Sequence, residues 1–161
     1  MSDLTTTTPD QVVAACQANA ADAAEALTRA LDGAFAIQAP KSQAPAATAQ
    51  APDGPGLLVM LTVGGAGLAI ALPESAGMLP AWYSAPDATG ESKLTTLAQE
   101  LSMLLVPETL SVDKFEARRV ESLAAALRSA GAAPESSLVS LAATKGATAG
   151  EISIVWPLGA P

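Results

Sequence analysis

Histidine is absent from these 161 residues, cysteine occurs once as Cys16, and only five side chains are aromatic: Phe35, Trp82, Tyr83, Phe115 and Trp156. Without imidazole there is no histidine-based zinc site and no histidine-activated nucleophile, and a lone cysteine cannot build a disulfide framework. We therefore expect neither a metal nor a cofactor. Long hydrophobic runs are missing too: no apolar stretch nears the roughly 18 residues needed to span a bilayer. The opening MSDLTTTT has neither the basic nor the apolar region of a secretory leader. These absences predict a cytoplasmic protein without membrane insertion. Positive charge is scarce, with 8 Lys and Arg against 16 Asp and Glu and a net charge of −8. Such a balance repels phosphate backbones and anionic headgroups, so nucleic acid is excluded as a partner. What remains is carboxylate chemistry and a chain that is 50% hydrophobic, long enough to bury the core of one domain.

The order of patterns predicts an α+β fold, a sheet-and-helix sandwich. Thr8, Pro9 and Asp10 form a helix start, because a threonine oxygen can cap free amides and proline tolerates the first turn. A helix from Pro9 to Asp32 comes next, with Val13, Cys16, Ala20, Ala23, Ala24, Leu27 and Leu31 on a small-residue face and Gly33 as its stop. Residues 34–38 read as a short strand. Residues 40–56, rich in Pro, Ala and Gln, read as a mobile loop with little to bury. Leu57, Val59, Leu61 and Val63, then Leu68, Ile70 and Leu72, alternate as a hairpin turning at Gly64–Gly67. That glycine run lacks the GxxxxGK[ST] pattern of a phosphate cradle. A second helix from about Ser92 carries Leu94, Leu97, Ala98, Leu101, Leu104 and Leu105, and ends near Pro107, whose ring disfavours helix at Val106. A third, over 112–130, would bury Phe115, Val120, Leu123, Ala124 and Leu127 and turn Lys114, Arg118, Arg119 and Arg128 to water. Strands at 137–142 and 151–156, joined by TKGATAG, close the chain. Residues 1–8 read as disordered, 9–157 as a single domain, and 158–161 as a tail or the start of a linker.

One spacing points to a family. Asp10 and Pro40 stand where the CheC, CheX and FliY response-regulator phosphatases, with their inert relative FliM, carry an acid or serine and a proline flanking a Glu-x-x-Asn pair. Here the Glu position is Ala14 and the Asn position Gln17. The later helix KLTTLAQELSMLL resembles a second copy, with Thr96 and Glu100 four apart and Met103 at the amide position. The run from SAPDATGESK to VWPL resembles regions of flagellar motor-switch proteins. The resemblance covers residues 9–157 and implies a CheC-like fold with a weak internal helix-strand-strand duplication.

In those phosphatases, as the resemblance implies, the amide orients the water that attacks an aspartyl phosphate while the acid pairs with the partner. Orientation is most of what such a catalyst supplies, and a misplacement of about 1 Å can cost about a hundredfold in rate. Met103 has no strong donor or acceptor, Gln17 is one methylene too long, and Ala14 cannot pair with a lysine. The expectation is therefore a catalytically degenerate interaction domain with no catalytic residues, binding a motor-switch subunit or a response regulator and stationed peripherally at the flagellar motor. Asp10, Gln17, Pro40, Thr96 and Glu100 are its candidate binding positions.

Each of these residues also has an ordinary reading. Asp10 fits a helix first turn, Gln17 is a good helix former, Glu100 fits the edge of an amphipathic face, and Cys16 fits a core. Trp82 and Tyr83, between Pro80 and Pro86, either plug the sheet or form an interaction loop. Two rival functions stay open: a weak aspartyl-phosphate phosphatase using Gln17 or Glu100, and an unrelated small ligand-binding α+β domain.

Overall fold

Small side chains let the first helix sit close to its neighbours. Over α1 (Pro9–Leu31), Ala23, Ala26, Leu27 and Ala30 are buried, a spacing of three and four that gathers them on one helix face. The computed structural model describes residues 9–31, 35–38, 44–45, 54–63, 66–73, 85, 87–104, 112, 114–129, 137–145 and 148–158. The hydroxyl of Thr28 ties the end of α1 to the first strand. It donates to the Ala24 carbonyl at 2.8 Å and accepts from the Phe35 N–H at 3.0 Å, so the last turn is joined to the first residue of β1 (Phe35–Gln38). Within the 40–56 segment, β2 (Ala44–Pro45) pairs with a later strand.

The expected hairpin is β3 (Gly56–Val63) and β4 (Ala66–Pro73). Val63 pairs with Ala66, so the ladder reaches further than the turn expected at 64–67 allows; Gly64 and Gly65 lie outside the described residues. Next comes α2 (Ala88–Leu104), whose buried residues are Gly90, Leu94, Leu97, Ala98 and Leu101. It starts four residues earlier than the apolar pattern indicated because Asp87 caps it, its Oδ1 accepting from the Gly90 N–H at 2.8 Å.

The stretch 112–130 corrects the sequence reading. Instead of one helix it forms β5 (Lys114–Val120) and the short α3 (Leu123–Ser129). Lys, Ala, Glu and Arg are strong helix formers, but exposure alternates from Lys114 to Arg119, the period of a strand. Arg118 faces water as expected, whereas Arg119 is half-buried on the opposite face. Ser122 restarts the helix, its Oγ accepting from the Ala125 N–H at 3.2 Å. The Leu123 N–H donates to the Gly54 carbonyl at 2.8 Å, and Gly54 itself sits at φ 86°, a left-handed conformation that side chains disfavour. The final hairpin, β6 (Ser137–Lys145) and β7 (Thr148–Leu158), is longer than its apolar cores. The ladder continues through Lys145 and Thr148, so most of TKGATAG is strand.

All strands join one antiparallel sheet in the order β1-β6-β7-β4-β3-β5, with β2 on β6. This order reveals the duplication. One half is α1, β1, β3 and β4, the other α2, β5, β6 and β7. Each half gives its edge strand to the other's hairpin, β1 to β6 and β5 to β3, and the β4–β7 seam lies between the halves. The two sheet faces bury different sets. Leu57, Val59, Leu61, Leu68, Ile70, Leu72, Ile152 and Ile154 meet the buried residues of α1 and α2. Leu58, Ala69, Ala71 and Val155 meet Leu123 of α3. Each fully buried leucine contributes roughly 1.5–3 kcal/mol by leaving water, so the helix-pair face holds most of the stability.

Candidate functional site

The helix pair α1 and α2 lies over one face of the sheet and is cross-linked at two points. The Asn19 side-chain amide of α1 donates to the Leu104 carbonyl of α2 at 3.0 Å, satisfying one of the carbonyls that a helix end leaves without an intrahelical partner. Further along, Arg29 of α1 pairs with the Glu100 carboxylate of α2. The later part of α1 thus meets an earlier part of α2, so the helices run in opposite directions, as a duplicated pair facing itself must.

The motif positions fall on the outer side of this pair. Ala14 and Gln17 are exposed on α1, and Thr96 is exposed on α2. Met103 is the one large apolar side chain exposed among the described residues, at 61%. Gln17 and Met103 flank the Asn19–Leu104 bond in sequence, which holds the two amide positions of the pattern at the same end of the pair. Glu100 differs from the rest. Its side chain is 22% exposed and its carboxylate is paired with the more exposed Arg29 within the chain. Gln17, Thr96, Glu100 and Met103 thus all lie on the helix pair, but Gln17 turns to the β1 side of α1 while the other three are on α2. Asp10 lies in the first turn of α1, with only its backbone described. Pro40, Trp82 and Tyr83 lie outside the described residues.

A groove of about 910 Å³ runs along the other flank of α1, between it and β1, with Gln17, Ala21, Ala24, Arg29 and Phe35 in its lining. Among the described residues no group of His, Cys, Asp and Glu is placed to hold a metal ion, and no helix is long and apolar enough to cross a membrane. The layer presents one exposed large apolar side chain, Met103, among polar and charged residues that include Asp22, Glu25, Arg29 and Glu91. At the motif position of α2 it holds no amide with which to steer a water.

Sequence reasoning missed Asn19 and Arg29, and both carried a signal. Asn19 is the chain's single asparagine, set in an alanine-rich helix where asparagine is a poor helix former. Arg29 is the only basic residue of α1, in its last turn.

No family model matches the chain, and no curated protein does. Solved structures are similar to it over nearly its whole length. A chain of the FliG–FliM complex from H. pylori superposes with a TM-score of 0.58 at 16% identity, covering 94% of each chain. The FliM middle domain from H. pylori gives 0.54 at 15% identity, again covering 94% of each. Thermotoga maritima FliY gives 0.56 at 11% identity, covering 94% of this chain and 92% of that one. This chain therefore has the α+β fold of the FliM middle domain and of FliY, built here with an alanine-rich first helix.

Proposed function

We propose that this chain is a catalytically degenerate protein-interaction domain of the flagellar motor switch or chemotaxis pathway, cytoplasmic and peripheral at the motor. Its outer helix layer receives a switch subunit or a response regulator, with Gln17, Thr96 and Met103 at the contact. The observation that carries this reading is the state of the motif positions on α2: exposed Met103 stands where an amide would be needed, and Glu100 is engaged by Arg29. An exposed methionine is an adaptable apolar contact for another protein and has no means of orienting a nucleophile. Two of the similar solved structures are complexes, of FliM with FliG and with SpeE, which supports a protein as the partner here.

The experiment pairs binding with turnover. The chain is titrated calorimetrically with purified switch subunits and with a response regulator, and phosphate release is followed from the phosphorylated regulator. The proposal expects saturable binding of one of them, weakened by Met103→Asp, with no acceleration of phosphate release. Rapid dephosphorylation abolished by Gln17→Ala or Glu100→Ala would overturn the degenerate assignment and favour the weak phosphatase. Absence of binding to every protein tried would overturn the interaction role.

A further inference from the structure

β5 is the outermost strand on its side of the sheet, paired with β3 and, among the described residues, with no strand on its other edge. The backbone groups along that edge form a template for one more strand. Lys114, Arg118 and Arg119, three of the eight Lys and Arg in a chain of net charge −8, all lie on this seven-residue strand. Lys114, Glu116 and Arg118 sit opposite Thr62, Met60 and Leu58, which puts their side chains on the face that carries α3. All three are exposed, Glu116 and Arg118 at 63% each, and the contact between those two is a loose 3.9 Å, worth little in water. The edge therefore displays a stripe of plus, minus, plus at alternate residues.

We propose that the outer edge of β5 is a docking edge for an extended segment of another protein, which adds a strand bearing acidic, basic and acidic side chains at alternate positions opposite Lys114, Glu116 and Arg118. Backbone pairing supplies affinity that is blind to sequence, and the charges select the register. A slip of two residues sets an acid against Glu116, and like charges directly opposite destabilise a pair. The pattern reads the same from both ends, so it fits either strand direction. A second copy of this chain matches less well, because registers centred on Phe115 or Ala117 make two opposite-charge pairs but leave the third charge unmatched. Antiparallel pairing of two β5 strands about Glu116 sets Lys114 against Arg118 and Glu116 against itself, and parallel in-register pairing sets like on like throughout. This edge is separate from the outer helix layer, and its test does not depend on what binds there.

The probes are a fluorescent heptapeptide Thr-Glu-Val-Lys-Val-Glu-Thr, its charge-swapped form Thr-Lys-Val-Glu-Val-Lys-Thr, and an N-methylated copy of the first that cannot extend a ladder. Binding is read by anisotropy on the full chain and on the triple variant K114E/E116K/R118E. The native chain is expected to prefer the first peptide by roughly tenfold, summed over three cross-strand pairs, even though its net charge favours the cationic one. The triple variant reverses the preference, N-methylation abolishes binding, and bound peptide slows hydrogen exchange at β5 amides. Should the triple variant fail to fold, the peptide preference and the exchange pattern of the native chain decide. No binding, a preference for the cationic peptide by the native chain, or equal binding of the N-methylated copy would overturn the proposal and leave the charges as a guard against edge-to-edge aggregation.

Discussion

Truncating Leu27 to alanine measures how far the outer helix layer depends on the core beneath it. Leu27 is fully buried between α1, α2 and the sheet, in a cluster with Ala23, Ala26, Ala30, Leu94, Leu97 and Leu101. Leucine-to-alanine changes in cores cost about 2–5 kcal/mol, and the residual cavity sets the position within that range. Here the α1 neighbours are alanines, which have no rotamers to swing into the space, so collapse is limited and the upper part of the range applies, about 3–5 kcal/mol. For a chain of this size each kcal/mol shifts Tm by about 2–4 °C, so the melting point should fall by about 6–20 °C. Urea unfolding followed by circular dichroism should show the same loss in midpoint with an unchanged slope. Leu27→Met, nearly volume-conserving, should cost less than about 1.5 kcal/mol, and Glu25→Ala, exposed two residues away, should stay within about 0.5 kcal/mol. A loss below about 1.5 kcal/mol for Leu27→Ala, or one matched by Glu25→Ala, would refute the reasoning that α1 anchors the layer through this residue.

Three further outcomes rest on the same geometry. Asp87→Ala removes the oxygen that accepts from the Gly90 N–H and should lower stability by about 0.5–2 kcal/mol in thermal melts, with Asp87→Asn nearly neutral. A double-mutant cycle on Arg29→Ala and Glu100→Ala should give a coupling below about 1 kcal/mol that shrinks in high salt, because Arg29 is 62% exposed; a coupling of several kcal/mol would mean that the pair is shielded from water. Because the two halves exchange edge strands, a fragment covering residues 1–86 should be unfolded alone by circular dichroism and gain structure on mixing with 87–161. Cooperative folding of either fragment by itself would contradict that exchange.

Elements whose burial pattern is local were legible in the sequence. The alternation at Leu57, Val59 and Leu61 answered by Leu68, Ile70 and Leu72 identified a hairpin, because a strand repeats its environment every second residue and each residue carries that signal. The same holds for α2, where leucines at three and four spacings lie under the sheet contact. The stretch 114–120 was not legible: KFEARRV is rich in good helix formers, and what decides its conformation is the open edge of β3 beside it. Strand propensity is a packing property that the segment does not contain. Gln17, an ordinary helix former by sequence, lies exposed on α1, but the engagement of Glu100 by Arg29, 71 residues away in sequence, depends on how the helices pack.

By itself the sequence ruled out histidine chemistry and an internal disulfide within this chain, and it determined which segments could bury an apolar face. Only the tertiary structure decided that the halves swap edge strands, that Asn19 spends its amide on the end of α2, and that the charges of β5 line an edge. The physical reason is range: composition and periodicity act within a turn or a strand, whereas pairing across the sheet and between helices is chosen by the whole set of surfaces that must be buried together.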